Sequence, residues 1–447
     1  MATTYLTRQI SSVGSRKKAT ISLWVKRGGG FDSDQRWFSY ENTSVSNNIT
    51  VFKFSGDSIQ FADQTGGSNN ARYDGTRKLR DPNSWYHFLV KMDTTQSTNT
   101  DRLKVYINGE LQSEASYTYP TQNADLNIGH NANAYIDIGR WRGSNNQYFD
   151  GCISHFHYTD GYAYDASTFG STDSTTGEWK INTSPTVTYG TNGFFILKDG
   201  NSVTDQSGQS NNFTVGAGTL TNSEDCPSNV FATLNPLQQN NTATTYSNGN
   251  TKGTGTSSSS NFSSTSATLA ASSGKFYAEY KPNLSSTDSS ISGFVNLDTA
   301  NFNVTDFYGG SNNMSAGLFD SGGQILHSTG TNLGSVGALS NGDIVMLAMD
   351  LDNGYLYWGK NGTWFNSANP ATSGGTGGLA LSNLGSNGTY TFLNGNRKSM
   401  GTEWNFGNGF FGSTAISSEG TNASGIGKFE YDVPTGYTAL STKGLNE

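Results

Sequence analysis

Asparagine–glycine pairs close one short apolar run after another in this chain, and that punctuation restricts the fold more than any other feature. Both central residues of a tight hairpin turn need positive φ, which Asn and Gly tolerate and branched residues do not. Asn108-Gly109 follows the alternating run Leu103, Val105, Ile107. Asn353-Gly354 follows Ile344–Leu351, and Asn361-Gly362 separates Tyr355-Leu356-Tyr357-Trp358 from Thr363-Trp364-Phe365. Tyr86, Phe88, Val90 and Met92 alternate with His87, Leu89 and Lys91 just after the turn residues Asp81-Pro82. Such period-two alternation marks half-buried strands, whereas Ile344–Leu351, apolar on both faces, reads as a central strand followed by a meander. No helical periodicity competes with these runs, and no period of roughly 20–50 residues marks a repeat array. The expected fold class is all-β, built as β-sandwich or jelly-roll domains.

Composition removes several functions. The 447 residues suffice for two or three domains, with 27 basic against 35 acidic side chains and a net charge of −8. The longest basic run is Arg16-Lys17-Lys18, so nucleic acid is not the expected partner. The apolar stretch Ile344–Met349 falls far short of the roughly 20 residues of a membrane helix. No apolar segment follows Met1, so neither membrane insertion nor a secretory leader is expected. Residues 257–274 contain nine serines and no charge. The stretch 238–273 therefore reads as a linker or long surface loop between one sandwich at 1–165 and another at 274–447. Residues 166–237 form a connector with strand-like pieces at 193–197 and 212–215, packed against one or both sandwiches.

Family likeness enters through ordered motifs. Thr20-Ile21-Ser22-Leu23-Trp24-Val25-Lys26-Arg27, Trp85-Tyr86-His87-Phe88-Leu89-Val90, Leu103–Gly109, Ile138-Gly139-Arg140 and Phe149-Asp150-Gly151-Cys152-Ile153 resemble a laminin-G-like, concanavalin A-like sandwich. Gly274–Tyr280, Gly342-Asp343-Ile344-Val345, Asp350–Gly354 and Lys360–Thr363 resemble a SPRY domain. The connecting text adds Tyr158-Thr159-Asp160-Gly161, Tyr189–Phe194, Ser210–Thr214, Asn229–Leu237 and Tyr431–Tyr437. Together these resemble virion proteins of tailed phages of marine bacteria and cyanobacteria. The resemblance implies two concanavalin A-like sandwiches, laminin-G-like then SPRY-like. It also implies a non-enzymatic structural protein of the virion, either a capsid decoration or a fibre component, assembled in the host bacterial cytoplasm. A dedicated tail-fibre receptor-binding adhesin is the alternative. The expected partners are other virion proteins, host-surface glycans and two further copies in a homotrimer; no cofactor is expected.

Candidate chemistry is sparse. Retaining glycosidases need two carboxylates roughly 5–5.5 Å apart, which on a strand means an acidic i, i+2 pair. Glu110 and Glu114 come nearest but follow a hairpin turn, and Asp350 and Asp352 belong to the turn entering Asn353-Gly354. A glycan depolymerase is accordingly disfavoured. His155 and His157 lie at i, i+2 opposite an inward face carrying Cys152, Phe156 and Tyr158, and read as a solvent- or subunit-facing pair. With only Asp160 nearby as a further ligand, no metal site is expected there, and calcium elsewhere is left open. Cys152 reads as a small buried hydrophobe. Trp24, Trp85 and Trp358 read as core. Trp141 with Arg142 and Asn145, and Trp364 with Asn361, stand in polar loops and are the candidate glycan contacts, where an indole face meets a sugar ring beside hydrogen-bonding neighbours.

Overall fold

The computed structural model describes all residues except 1–2, 30, 45–46, 131–133, 199–201, 240–243, 257–261, 285–289, 301–314, 321, 328–330, 373 and 386. The chain forms two compact units, Met1–Leu220 and Thr221–Glu447. Among the described residues there is no α-helix, and every long element is a strand.

In the first unit an eight-stranded sheet packs on a six-stranded one. The eight run in the order Ser116–Thr118, Ser68–Asp74, Ser58–Thr65, Ile49–Ser55, Gln35–Asn42, Ala134–Ile138, Tyr5–Gln9, Thr214–Ala217. The six run Phe194–Ile196, Gly151–Asp160, Lys18–Arg27, Trp85–Asp93, Leu103–Ile107, Glu110–Leu111. The alternation read from sequence sets what lies between them: Ile21, Leu23, Val25, Phe88, Val90 and Met92 from one sheet meet Phe38, Tyr40, Phe52, Phe54 and Ile136 from the other. Each such side chain contributes roughly 1.5–3 kcal/mol of transfer free energy. The Asn108-Gly109 turn has both residues at positive φ, 48° and 78°, as a mirror-image hairpin turn requires.

The connector expected at 166–237 belongs largely to this unit. Phe194–Ile196 extends the six-stranded sheet and Thr214–Ala217 the eight-stranded one. Between the sandwich and these strands, residues 162–189 lie on the outer face of the six-stranded sheet, where Tyr164, Ala166, Phe169, Trp179 and Val187 pack against Leu89 and Tyr106. Trp179 passes so close to the Asn108-Gly109 turn that a Cβ on Gly109 would stand 2.3 Å from its ring. Trp24 is buried as expected, but on this outer face, stacked 5.2 Å from His87.

His155 and His157 are not surface residues. Both are buried, His157 with Phe195 stacked 3.9 Å from its ring and Tyr189 O–H at 2.9 Å from Nδ1. Cys152 is corrected too: it is half-buried on the outer face and Ile153 points inward. The cause is a β-bulge. His155 adopts φ 47°, and the pairing with Lys18–Arg27 shifts between Ser154 and His157, so the strand reverses its facing once.

The second unit repeats the two-layer plan. A seven-stranded sheet runs Leu234–Gln239, Phe262–Ala267, Tyr390–Arg397, Ser290–Asn296, Ser315–Phe319, Gln324–His327, Asn332–Ser335. Its partner carries Thr244–Ser247, Lys252–Gly255, Gly401–Asn405, Lys275–Asn283, Val345–Asp350, Tyr355–Lys360 and Thr363–Trp364 in that order. Val345–Asp350 is buried along its whole length, and the meander predicted from the two Asn-Gly turns is present. Phe294 and Phe392 meet Phe276, Leu347, Trp358 and Trp404 between the layers.

The expected linker is not one where it is described. Thr244–Ser247, Lys252–Gly255 and Phe262–Ala267 are all paired into the two sheets; residues 240–243 and 257–261 lie outside the described set. Serine and threonine hydroxyls fit a buried strand when they find a hydrogen-bond partner, as Thr265 Oγ1 does in the Asn235 carbonyl of the adjacent strand at 2.6 Å. Residues 426–437 cross the outer face of the second sheet, where Phe429, Val433 and Tyr437 pack on Tyr277, Met346, Ala348 and Tyr357.

The buried histidines set an acid limit on the first unit. Burial pushes His87 from 6.5 down to about 3 and holds His157 well below its ordinary value, with His155 and His87 adding repulsion. The folded state keeps both neutral, so their contribution is complete above about pH 6.5 and is lost as pH falls toward the folded values. Stability is expected to decline by about 1.4 kcal/mol per pH unit per histidine below pH 6. Urea melts of wild type and His87→Gln at pH 7 and pH 5 check this; equal pH slopes would refute it.

Candidate functional site

The first unit carries an open cleft of about 420 Å³ lined by Tyr73, Thr76, Arg77 and residues 110–115. It exists because Glu110–Leu111 and Ser116–Thr118, edge strands of opposite sheets, are joined by a short segment that bridges the layers without filling the gap. Its frame is fixed by hydrogen bonds: Thr76 Oγ1 donates to the Glu114 carbonyl at 3.1 Å, and Tyr117 O–H to the Gln112 carbonyl at 2.6 Å. Arg77 Nη1 donates to Glu110 Oε2 at 2.9 Å, and both side chains remain substantially exposed. Tyr73, buried in the core beneath the cleft, packs edge-on against Tyr117 with ring centroids 5.0 Å apart, and Leu111 presents an exposed apolar surface. Hydrogen-bonding side chains therefore dominate the lining, with Leu111 as its exposed apolar member.

Trp141, Arg142 and Asn145 come together elsewhere on that unit. Their loop folds back onto the outer face of the eight-stranded sheet, where Trp141 covers Ile49, Val51 and Ala62 and lies under the Arg36 guanidinium at 4.2 Å. Glu41 receives the Arg142 and Gly143 N–H groups, each at 3.0 Å, and its burial raises its pKa against the pull of Arg36. Buried Asp137 accepts Arg140 Nε and Arg142 Nη2, both at 2.7 Å. Arg140 and Arg142 in turn lie over Tyr5 and Tyr135. Asn145 is exposed at φ 50°, its Oδ1 taking Arg140 Nη1 and Tyr148 O–H, each at 2.8 Å. This loop is anchored by charge pairs and has an indole engaged on the sheet, not a free stacking platform.

Asn361 and Trp364 lie at one hairpin of the second unit, between Tyr355–Lys360 and Thr363–Trp364, with separate partners. Asn361, at φ 50°, accepts the Ile344 N–H at 2.8 Å and donates to Asp343 at 2.7 Å, so its amide is the brace of the turn. Trp364 is half-buried, edge-on to Tyr277 at 6.2 Å.

Other reactive-looking groups are structural. Ser22 Oγ sits 2.8 Å from His87 Nε2, but Trp179 Nε1–H donates to Nδ1 at 3.1 Å. The ring proton is thereby placed on Nε2, which donates to the serine, the reverse of what a general base must do. Glu279 is fully buried and accepts Tyr277 O–H, Glu430 N–H and Tyr431 N–H at 2.9 Å and Asn405 Nδ2 at 3.3 Å, fastening the crossing segment to the sheet. Burial lifts its carboxyl from 4.5 to about 7 against those donors. Among the described residues no three His, Cys, Asp or Glu side chains converge as a metal site, and no helix is long and apolar enough to cross a membrane.

Sequence reasoning noted Glu110 and Glu114 as an acidic pair but missed Tyr73, Thr76, Arg77 and Gln112. The cleft arises from two turns about 35 residues apart whose meeting no local pattern announces.

The fold of the first unit defines a sandwich of lectin type: residues 2–167 match a laminin-G model of the concanavalin A-like lectin/glucanases superfamily. Solved structures similar to the chain include the native heptameric SAP-like pentraxin from Limulus polyphemus, 16% identical, covering 35% of this chain and 69% of that one, with a TM-score of 0.26. The SPRY domain of human HERC1 is 13% identical, covering 38% of this chain and 96% of its own, TM-score 0.29. The PSpry domain of TRIM65 is 16% identical, with 38% and 90% coverage and a TM-score of 0.28. No curated protein matches the chain.

Two substitutions rank the interactions described above. Asp137→Ala leaves two guanidinium groups without their carboxylate and is expected to cost about 3–5 kcal/mol. Trp141→Ala removes a half-buried indole and is expected to cost roughly 2 kcal/mol. Denaturant melts that reverse this order would refute the charge-anchored loop. Glu279 gives a pH signature of opposite sign to that of His87. Its folded pKa is raised, so its stabilising contribution is present below pH 4.5 and lost as pH rises through 7. Glu279→Gln should shrink the fall in the second unit's melting temperature between pH 5 and pH 8, whatever its offset; an unchanged slope would exclude a titrating Glu279.

Proposed function

We propose that this protein is a non-enzymatic structural component of a tailed-phage virion that holds host-surface glycans weakly through its first sandwich. The observation that carries the reading is the open polar cleft at the sheet edge of a lectin-class domain, with Arg77, Glu110, Gln112 and Glu114 around the exposed Leu111 side chain. The ordered motifs running from Phe149-Asp150-Gly151 to Tyr431-Asp432-Val433-Pro434 support the virion setting. Loop residues Arg142 and Asn145 would act at most as an outer rim, because their charge pairs fix them in place. Repetition on one particle would convert contacts of about millimolar strength into useful avidity.

The test is binding of the full-length protein to an array of bacterial surface glycans, with light scattering for its mass. A trimer of the 47.8 kDa chain is expected. The double variant Arg77→Ala/Glu114→Ala should melt at the wild-type temperature and bind at least tenfold more weakly, a loss of about 1.4 kcal/mol. A folded double variant that binds as well as wild type would overturn the cleft as the contact. A chain that binds no glycan and stays monomeric would overturn the function.

A further inference from the structure

On the outer face of the eight-stranded sheet, an amine and a carboxamide share one carboxylate oxygen. Lys53 stands opposite Arg36 in the pairing of Ile49–Ser55 with Gln35–Asn42. Its Nζ pairs with Asp34 Oδ2, and the lysine side chain is only 9% exposed. Gln147 Nε2 donates to that same oxygen at 3.4 Å. The other end of the amide is held as well. Arg36 Nε donates to Gln147 Oε1 at 2.6 Å, and the Arg36 backbone N–H donates to the Gln147 carbonyl at 3.0 Å. Burial lowers Arg36 only to about 10, so it remains a cation at neutral pH, with Trp141 against one face. Gln147 sits at φ 53°, a left-handed conformation that glutamine rarely adopts, so its side chain is delivered here at a backbone cost. An ion pair alone would account for Lys53 and Asp34, but not for an amide on the same oxygen or a guanidinium on that amide.

We propose that Lys53 and Gln147 become joined by an isopeptide bond between Nζ and Cδ, with Asp34 carrying the protons and Arg36 stabilising the oxyanion. Asp34 takes a proton from the Lys53 ammonium, and the free amine attacks the Gln147 carboxamide carbon. Negative charge then develops on Oε1, where the Arg36 guanidinium is already placed. The Cδ–Nε2 bond breaks as Asp34 returns its proton to the departing nitrogen, which the carboxylate also touches. Two protons leave Nζ and both depart on the released ammonium, so an ammonium and a primary amide become a secondary amide and an ammonium. No oxidant or cofactor enters. Holding both nitrogens on one oxygen makes the encounter intramolecular, which is the main advantage such a reaction needs. The second unit offers an internal comparison: Lys275 Nζ and Asn353 Nδ2 share Asp350 Oδ2, at 2.9 and 2.8 Å. Asn353 is exposed, and among the described residues no arginine donates to its oxygen, so that pair is expected to stay unjoined.

Intact-mass spectrometry of the full-length protein, kept folded for days at pH 8 and unfolded only for the measurement, tests this beside a tryptic peptide map. The expected mass is one ammonia below that of the sequence. The map should contain a branched peptide joining Lys53 to Gln147, uncut after Lys53. Lys53→Arg, which keeps a cation opposite Asp34, and Asp34→Asn should each retain the full sequence mass. If either variant does not fold, the wild-type map alone decides. Wild-type protein at full mass, with Lys53 and Gln147 in separate peptides, would overturn the bond. Ammonia loss mapped instead to Lys275 and Asn353, or to an Asn-Gly turn, would overturn the site.

Discussion

Each sandwich in this protein has more apolar surface than its own two-layer interior can bury, and the rest of the structure follows from covering the excess. In a plain sandwich one face of each sheet is wet. Here Trp24, His87 and Leu89 line an outer face of the first unit, and Tyr277, Met346 and Tyr357 line one in the second. Both would expose aromatic area far beyond what a folded chain leaves in water, so each has drawn a non-repetitive segment across it. Residues 162–189 serve the first and 426–437 the second. The loop at 140–147 does the same over Ile49, Val51 and Ala62.

Covering a sheet face with irregular backbone raises a second difficulty, because the peptide groups brought down with the cover must find partners. The chain meets it with buried polar side chains in place of ladder pairing. Glu279 takes two successive N–H groups of one cover, Glu41 takes two of another, and Asp160 holds the Ser15 and Asn192 N–H groups. These three carboxylates are therefore fasteners. The titration behaviour of each unit is a by-product of where a carboxylate or imidazole was used to secure a cover.

The same division explains what the sequence made legible. Strands bounded by Asn-Gly turns were readable because turn chemistry and period-two alternation are local; Phe88, Val90 and Met92 face the core as their spacing implies. The covers were not, since Trp179 or Phe429 in an irregular segment carries no periodicity to say which surface it will meet. Trp141 was misplaced for a related reason: a loop rich in Gly, Ser and Asn has one composition whether it stands out or folds back, and only the distant Glu41 and Asp137 decide. The serine-rich strands around residue 264 looked like linker because polarity, not alternation, dominated the reading.

The bulge at His155 has a consequence of another kind. Opposite Leu23 the strand places two residues, His155 and Phe156, where a regular ladder would place one. Parity along this strand is thus maintained by one surplus residue. Removing His155 would leave Ile153, Phe156 and Tyr158 all still facing inward, with a straight ladder in place of the kink. Loss of a residue from the preceding 151–154 stretch could be absorbed by the same surplus moving up, whereas an identical loss in Lys18–Arg27, which has none, would turn one side of the core outward. The six-stranded sheet therefore keeps, in a single strand, a margin of length that its central neighbour lacks.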